Sequence, residues 1–430
     1  MTTFAIATLG CKVNTYESQG YESSLLAKGY TEVSFKEKAD IYVINTCAVT
    51  NTAGSKSRQK IHQAKALNPD AIIAVVGCYV QTAKEQLEVM EQVDVLVGSA
   101  GKHELADRIE KALHGEKQVN QLQDVRALRV FESLPVQHFE HQTRAFLKIQ
   151  DGCNQFCSYC IIPFARGAER SLPEDQVISI ARNLCQSGHR EIVLSGIHTG
   201  RYGRDLKTNL THLMKRMVNE VEHLERIRIS SIEMNEITDE LLDFMQHEPK
   251  IARHLHIPIQ SAENTVLKNM NRPYTVEWFK ERVDYIRTLM PDVSISSDVI
   301  VGFPQESEEQ FETTMRNIED MKLSFLHIFP YSKRDFTKAA KMPGHLENKI
   351  KKDRASRLAQ CSKALYTAYK ETFIGKEVDV LFEKEVDGML FGHTSEYLEV
   401  LCKLDPKYLH QMKRVVINEL EGDRLLSSAL

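Results

Sequence analysis

The sequence predicts an α/β protein in three parts: an open parallel α/β domain, a central partial (βα)6 barrel and a small C-terminal β-barrel. Three patterns carry that expectation. Strand-like and helical runs alternate through the N-terminal quarter, six further strand–helix units follow from Phe146, and after Gly375 the hydrophobic period shortens towards two. The corresponding divisions are 1–117, a linker at 118–138, 139–370 and 371–430.

In the first part the runs Phe4–Leu9, Ile41–Ile44 and Ala71–Val76 each end at a cysteine-bearing turn, Gly10-Cys11, Asn45-Thr46-Cys47 and Gly77-Cys78. Helical stretches such as Ser55–Ala66 and Ala83–Gln92 separate or follow them. In an open parallel sheet ligands gather beyond the carboxyl ends of the strands. Gln118 to Thr143 has little periodicity.

The barrel strands are expected at Phe146–Ile149, Glu191–Leu194, Arg226–Ser230, His254–Ile259, Val293–Val301 and Ser324–Phe329. Ser171-Leu172-Pro173-Glu174 and Ser307-Glu308-Glu309-Gln310 read as capping boxes that start two of the helices. Six such units make three quarters of a barrel, with its chemistry at the C-terminal strand ends. Glu347–Phe373 is helical in composition. Glu377–Phe382, Tyr397–Leu401 and Arg414–Ile417 are short strands, with a turn at Asp387-Gly388.

Composition bounds the class. The chain has 430 residues, 42% of them hydrophobic, which is ordinary for a globular protein with real cores. No apolar run approaches a membrane span of ~20 residues, and no secretory signal is apparent, so a cytoplasmic protein is expected. Nine cysteines at irregular spacing argue against a disulfide scaffold and for reduced thiols available to metal. The net charge of −4 hides an asymmetry: residues 333–370 hold eleven Lys and Arg against three Asp and Glu, whereas 371–430 hold seven against twelve. The basic stretch is either a solvated helix or a phosphate contact through Lys351, Lys352, Arg354 and Arg357.

The strongest chemical signal is Cys153-x3-Cys157-x2-Cys160, directly after the first barrel strand. Structural zinc takes four protein ligands, while three thiolates can bind three irons of a 4Fe–4S cube and leave the fourth open. The alternatives are a zinc loop completed by a distant Cys or His, or three inert core thiols. The spacing resembles that of the radical S-adenosylmethionine (SAM) enzymes, in which an aromatic such as Tyr159 packs near the adenine. Cys11, Cys47 and Cys78 share one structural address at neighbouring strand ends, which points to a second cluster. Cys185, Cys361 and Cys402 read as core or strand residues.

Around the barrel mouth, Ser195 and Gly196 offer backbone to a ligand's amino-acid end. Ser231 and Glu233 offer bonds to ribose hydroxyls or an ammonium group, Gln260 follows the fourth strand, and Val301 offers an apolar flank to an adenine. His198, His254, His256 and His327 are expected to pack or hydrogen-bond rather than ligate, since six thiolates already suffice.

The whole order of parts resembles the radical-SAM methylthiotransferases, whose terminal barrel is called TRAM. Thr8-Leu9-Gly10-Cys11-Lys12-Val13-Asn14 is similar to the branch that acts on threonylcarbamoyl-adenosine in tRNA (MtaB-type). Asn45-Thr46-Cys47-Ala48-Val49-Thr50, Gly77-Cys78-Tyr79 and Leu147 to Cys153 agree with it. Two positions depart from the family pattern: Ala262 and Gln305 stand where relatives commonly carry Gly.

The resemblance implies two 4Fe–4S clusters and two equivalents of SAM. The Cys153/Cys157/Cys160 cluster would bind and cleave SAM. The Cys11/Cys47/Cys78 cluster would hold a sulfur that a second SAM methylates and that joins carbon 2 of the adenine next to the anticodon. Implied partners are tRNA, a reductase or flavodoxin-type electron donor and a sulfur donor of unknown identity, with no membrane and a monomeric chain. Alternatives are methylthiolation of isopentenyl-adenosine or of a ribosomal-protein residue, or a zinc-dependent RNA-binding protein without chemistry. The threonyl arm carries a carboxylate, for which Arg166 and Arg170 after the cluster loop are the candidate partners.

Overall fold

The computed structural model describes residues 1–49, 51–116, 119–120, 122–136, 139 and 142–430. Thr50, which ends one family motif, and residues 117, 118, 121, 137 and 138, at or within the expected linker, lie outside these.

The first sheet is parallel throughout. Its strands are β1 (Thr3–Thr8), β2 (Thr31–Glu32), β3 (Ile41–Thr46), β4 (Ile72–Gly77), β5 (Val95–Val97) and β6 (Val119–Asn120), in the order β2-β1-β3-β4-β5-β6. β3 is buried along all six residues, as expected for a central strand covered on both faces. Thr8 lies opposite Asn45 and Thr46 opposite Gly77, so the chain leaves β1, β3 and β4 along one edge. β2, β5 and β6 are too short to register as apolar runs. The helix read at Ala83–Gln92 is instead two short ones, Cys78–Thr82 and Lys84–Glu88, because Ala83 leaves the helical region between them (φ −134°, ψ 35°).

The central unit has six parallel strands, β7 (Arg144–Asp151), β9 (Glu191–Gly196), β10 (Arg226–Ile229), β11 (His254–His256), β12 (Ser294–Val301) and β13 (Phe325–Pro330). A short β8 (Arg170–Ser171) runs antiparallel beside β7. The two ladders β10-β9-β7-β8 and β11-β12-β13 are stitched by an Ile227–Ile251 bridge and by Ile232 N–H donating to the His256 carbonyl at 3.0 Å. Ser307 and Gln310 form the expected capping box. The Ser171 box does not form. Ser171 is already a β8 residue, its hydroxyl accepts from Gly203 N–H, and the helix Glu174–Gln186 starts at Pro173 without a side-chain cap. Gln305 holds φ +68°, a conformation that favours glycine.

The C-terminal barrel is closed by five strands rather than the three expected: β14 (Glu377–Val386), β15 (Met389–Thr394), β16 (Glu399–Cys402), β17 (Met412–Glu421) and β18 (Arg424–Ala429). Asp387 and Gly388, at φ 52° and 75°, make the β14–β15 turn. This barrel packs against the base of the central one. Arg226 and Arg228 donate to the carbonyls of Asp379, His393, Thr394 and Ser395, and Glu191 accepts from both arginines. Tyr397 inserts between His254 and His393, stacked at 5.1 and 4.8 Å, beneath the Arg228 guanidinium. No described helix is long and apolar enough to cross a membrane.

The first sheet and the barrel share one continuous apolar core, in which Tyr16, Tyr21 and Leu25 pack with Leu147 and Ile149. A buried ion network crosses the same boundary. Glu17, on the helix Lys12–Ala27, accepts from Lys102 at 2.7 Å, Lys148 at 2.8 Å and Arg166 at 2.8 Å. Asp151, at the end of β7, accepts from Lys148 at 2.6 Å, Arg170 at 3.0 Å and Arg166 at 3.2 Å. Burial alone would push both carboxyls up, but the surrounding cations outweigh it and hold them well below the usual carboxylate range. Removing one member of such a set leaves uncompensated buried charge. Glu17→Gln should therefore cost about 3–5 kcal/mol of stability, read from the urea midpoint; a loss under about 1 kcal/mol would show the network to be dispensable.

Candidate functional site

The three N-terminal cysteines meet at the carboxyl edge of β1, β3 and β4. Cys11 is the exposed N-cap of the helix Lys12–Ala27, while Cys47 and Cys78 are buried. Gly10, at φ +113°, lies so close to Cys47 that a Cβ there would stand 2.8 Å from the Cys47 Cβ and 3.1 Å from its sulfur. Only glycine fits that approach. The sulfurs are met by donors: Val49 N–H reaches Cys47 Sγ at 3.5 Å, and Arg166 Nε reaches Cys78 Sγ at 3.0 Å.

The second triad sits on the loop after β7. Gly152, at φ +73°, opens the loop against the Ala168 carbonyl, which a Cβ would approach to 1.9 Å. Donors again face sulfur. Gln155 N–H lies 3.4 Å from Cys153 Sγ, His198 Nδ1 lies 3.3 Å from the same atom, and Arg272 Nη1 donates to Cys157 Sγ at 3.5 Å. Burial pushes the Cys47 thiol up to about 11 and the Cys160 thiol up to about 12. Desolvated thiols of this kind become thiolates when a metal centre supplies the compensating charge.

The donor set fits an anionic centre. In the ion network four cations, Lys102, Lys148, Arg166 and Arg170, face two carboxylates. Burial pushes the Lys148 ammonium down, whereas Glu17 and Asp151 outweigh burial at Lys102 and hold its ammonium up. A thiolate-ligated cluster beside Arg166 would supply the missing negative charge, and N–H donors to sulfur are what tune such clusters.

A cavity of about 920 Å³ joins the first triad to the barrel interior. Cys11, Lys12, Ser195, Gly196, Ser231, His256, Asp298 and Tyr397 line it. Ser195 brings a buried hydroxyl with no partner among the described residues. Glu233 instead spends its carboxylate on Arg272, which ties it to Cys157. Gln260, at φ +69°, exchanges backbone bonds with Asp298 and Ile300, and Val301 is closed into the core. Tyr159 is half-buried beside Phe303 and Tyr331.

Four readings of basic residues need correction. Arg166 and Arg170 are fully buried, and their guanidinium groups are committed to Glu17, Asp151, Asn14, Cys78 and loop carbonyls, so neither is free to clamp a substrate carboxylate. Arg354 is buried against Glu306 at 2.6 Å and Glu308 at 3.2 Å. Arg357 pairs with Glu308 and with Asp353 at 3.5 Å. Lys351 is half-buried and reaches the Tyr331 carbonyl at 3.4 Å, which leaves Lys352 as the exposed member of that set.

Lys12 and Arg272 carry no site signal of their own in the sequence, whereas His198, His256 and His327 are expected there to pack or hydrogen-bond. Lys12, next to Cys11, points its charge into the cavity, and among the described residues no carboxylate lies within 4.0 Å of it. Burial pushes its ammonium down, opposed by Tyr397 across the cavity. Arg272 serves Cys157, and His198 stands between Cys153 and Glu236, its Nε2 2.9 Å from the carboxylate. Burial pulls that imidazole down, yet its bonds to Cys153 and Glu236 prevail and hold it up at about 9. His256, Asp298 and His327 cluster in the cavity wall.

The comparisons bear directly on this arrangement. Residues 3–98 match the uncharacterized protein family UPF0004, and residues 147–318 match the radical SAM superfamily. The chain is 43% identical over 409 residues to a threonylcarbamoyladenosine tRNA methylthiotransferase of Bacillus subtilis (strain 168), covering 94% of this chain and 91% of the relative. It belongs to the radical-SAM methylthiotransferase family. A tRNA-2-methylthio-N(6)-dimethylallyladenosine synthase of Caldicellulosiruptor saccharolyticus is 33% identical, with 97% of this chain and 90% of the relative covered. In fold the enzyme is similar to a radical S-adenosylmethionine methyltransferase from Kitasatospora setae, with a TM-score of 0.57 at 12% identity over 79% of this chain and 75% of that one.

Because Arg354 is neutralised internally, Arg354→Ala should leave the salt dependence of tRNA binding unchanged while costing about 3 kcal/mol of stability. A flatter slope of log K against log salt would return this arginine to the RNA interface.

Proposed function

We propose that the 920 Å³ cavity running from Cys11 of the first triad into the barrel interior is where this enzyme's substrate base is modified. The enzyme is a tRNA methylthiotransferase acting on carbon 2 of N6-threonylcarbamoyl-adenosine next to the anticodon, and its cofactors are SAM and 4Fe–4S clusters. The observation that carries the siting is that one space touches Cys11 and also Ser195, Gly196 and Ser231 at the barrel's strand ends. Cys153, Cys157 and Cys160 would hold the SAM-binding cluster, and Cys11, Cys47 and Cys78 the auxiliary one. Together the bound cofactors supply one-electron cleavage of SAM and a methylated sulfur.

The chain's own groups do the rest. Gly10 lets Cys11 and Cys47 approach, and the Glu17–Arg166–Asp151 network fixes the two triads relative to each other. Ser195 and Gly196 present a hydroxyl and open backbone to the methionine end of SAM. Tyr397 of the C-terminal barrel forms part of the cavity wall, stacked on His254 and His393. Lys12 supplies the cation that Arg166 and Arg170 do not, facing the threonyl carboxylate. The functional divisions follow the boundaries 1–117, 118–138, 139–370 and 371–430. A monomeric, cytoplasmic enzyme served by a reductase or flavodoxin-type donor completes the reading.

Two experiments test it. Cys157→Ala should abolish SAM cleavage and retain about half the iron, whereas Cys47→Ala should still cleave SAM to deoxyadenosine but form no methylthio product. Loss of cleavage in both variants would refute the division of labour. Offered anticodon stem-loops carrying either threonylcarbamoyl- or isopentenyl-adenosine, the enzyme should prefer the first by at least about tenfold, and Lys12→Met should erase most of that preference, since a charge-assisted contact is worth ~1.5–3 kcal/mol. Preference for the isopentenyl substrate, as the name of the Caldicellulosiruptor relative would have it, would move the enzyme to that branch.

A further inference from the structure

Three phenylalanines lie on the surface where burial would be expected: Phe156 (55% exposed), Phe164 (40%) and Phe336 (63%). They are contiguous. The Phe156 and Phe164 rings meet edge-on at 6.1 Å, and the Phe164 and Phe336 rings lie 6.3 Å apart at 32°. Each comes from a different segment, and each segment is anchored to a thiol triad. Phe156 stands inside the loop between Cys153 and Cys157. Phe164 belongs to the short helix whose Arg166 donates to Cys78 Sγ. Phe336 follows Arg334, whose Nε donates at 3.1 Å to the carbonyl of Val49, the residue whose N–H faces Cys47 Sγ. The aromatic row therefore straddles the seam between the two triads.

Nothing in the fold explains it. Phe156 and Phe336 hold φ of +50° and +69°, a left-handed backbone that is unfavourable for any side chain but glycine, and their exposed rings forgo the benefit of burial. The charge nearby is also unmatched. The basic stretch 333–370 divides in two: Arg354 and Arg357 are neutralised by glutamates, whereas Lys333, Lys338 and Lys341 are exposed and in no ion pair among the described residues. Flat aromatic faces flanked by free cations fit unpaired bases and their phosphates, a pairing that duplex RNA with its stacked bases cannot use.

We propose that Phe156, Phe164 and Phe336 form a stacking platform for the unpaired nucleotides flanking the target adenosine, with Lys333, Lys338 and Lys341 on their phosphates. The inference rests on the tRNA reading above and adds the surface that receives the loop.

The test uses reconstituted enzyme and a synthetic anticodon stem-loop. Phe164→Ala and Phe336→Ala should each weaken stem-loop binding by about tenfold or more without changing its salt slope, because stacking and not counterion release is lost. Lys333→Gln with Lys338→Gln should flatten that slope. In a Trp278→Phe background, which removes the only native tryptophan, Phe336→Trp should keep affinity and have its fluorescence quenched by the loop. Phe336→Gly should raise Tm, by relieving the left-handed backbone, while still weakening RNA binding. Unchanged affinity in both alanine variants, equal losses with a fully paired RNA, or an effect confined to the KM for the protein electron donor would each overturn the platform. Product analysis of the wild-type enzyme separates the two ideas. Quenching without methylthiolation would overturn the assigned reaction and leave the platform standing, and methylthiolation without quenching would do the reverse.

Discussion

Electroneutrality is the constraint on which the arrangement depends. Four cations and two carboxylates are enclosed at the boundary between the N-terminal sheet and the central barrel. The surplus positive charge is tolerable only with further negative charge nearby: Glu132 acts on Lys102, and Arg166 binds Glu17 and Asp151 with one end and the Cys78 sulfur with its Nε. The same side chain that joins the two units thus touches the first triad, while Asp151 directly precedes the loop of the second. Rigid spacing between the triads follows from pairing charge, more than from the apolar core they share.

The barrel supplies precision on the other side. Arg272 holds Glu233 and reaches Cys157, and His198 spans Cys153 and Glu236. Each sulfur so served has a donor fixed by a second partner, so the loop geometry does not depend on the loop alone. The cavity beside them is lined by Ser195, Gly196 and Ser231 on one side and by Tyr397 on another.

What the sequence made legible was local. Apolar runs ending in Gly-Cys or Thr-Cys located three strand ends, and the period change after Gly375 located the terminal barrel. What stayed hidden was partnership at a distance. Arg166 and Arg170 were visible as cations, but of the two carboxylates that engage Arg166 one, Glu17, lies 149 residues earlier. Arg354 and Arg357 meet Glu306 and Glu308 nearly fifty residues away, so two of the cations on a helix that looks basic are neutralised in place. Ser171 carried a capping pattern, yet pairing of β8 with β7 claimed it first. Lys12 belongs to the Cys11 motif, but the cavity that it faces is built from segments far along the chain, such as Tyr397.

The insertion of Tyr397 into the barrel base has a consequence for how such a chain can be divided. The terminal barrel is a stopper as well as an appendage: its ring, carried by residues 371–430, completes a wall belonging to residues 144–330. Cutting the chain after the helix Asn348–Glu371 would leave the upper units joined but strip Tyr397 from the chamber wall and widen the opening beside Lys363. The piece that could be dismissed as a handle for RNA is thereby part of the vessel.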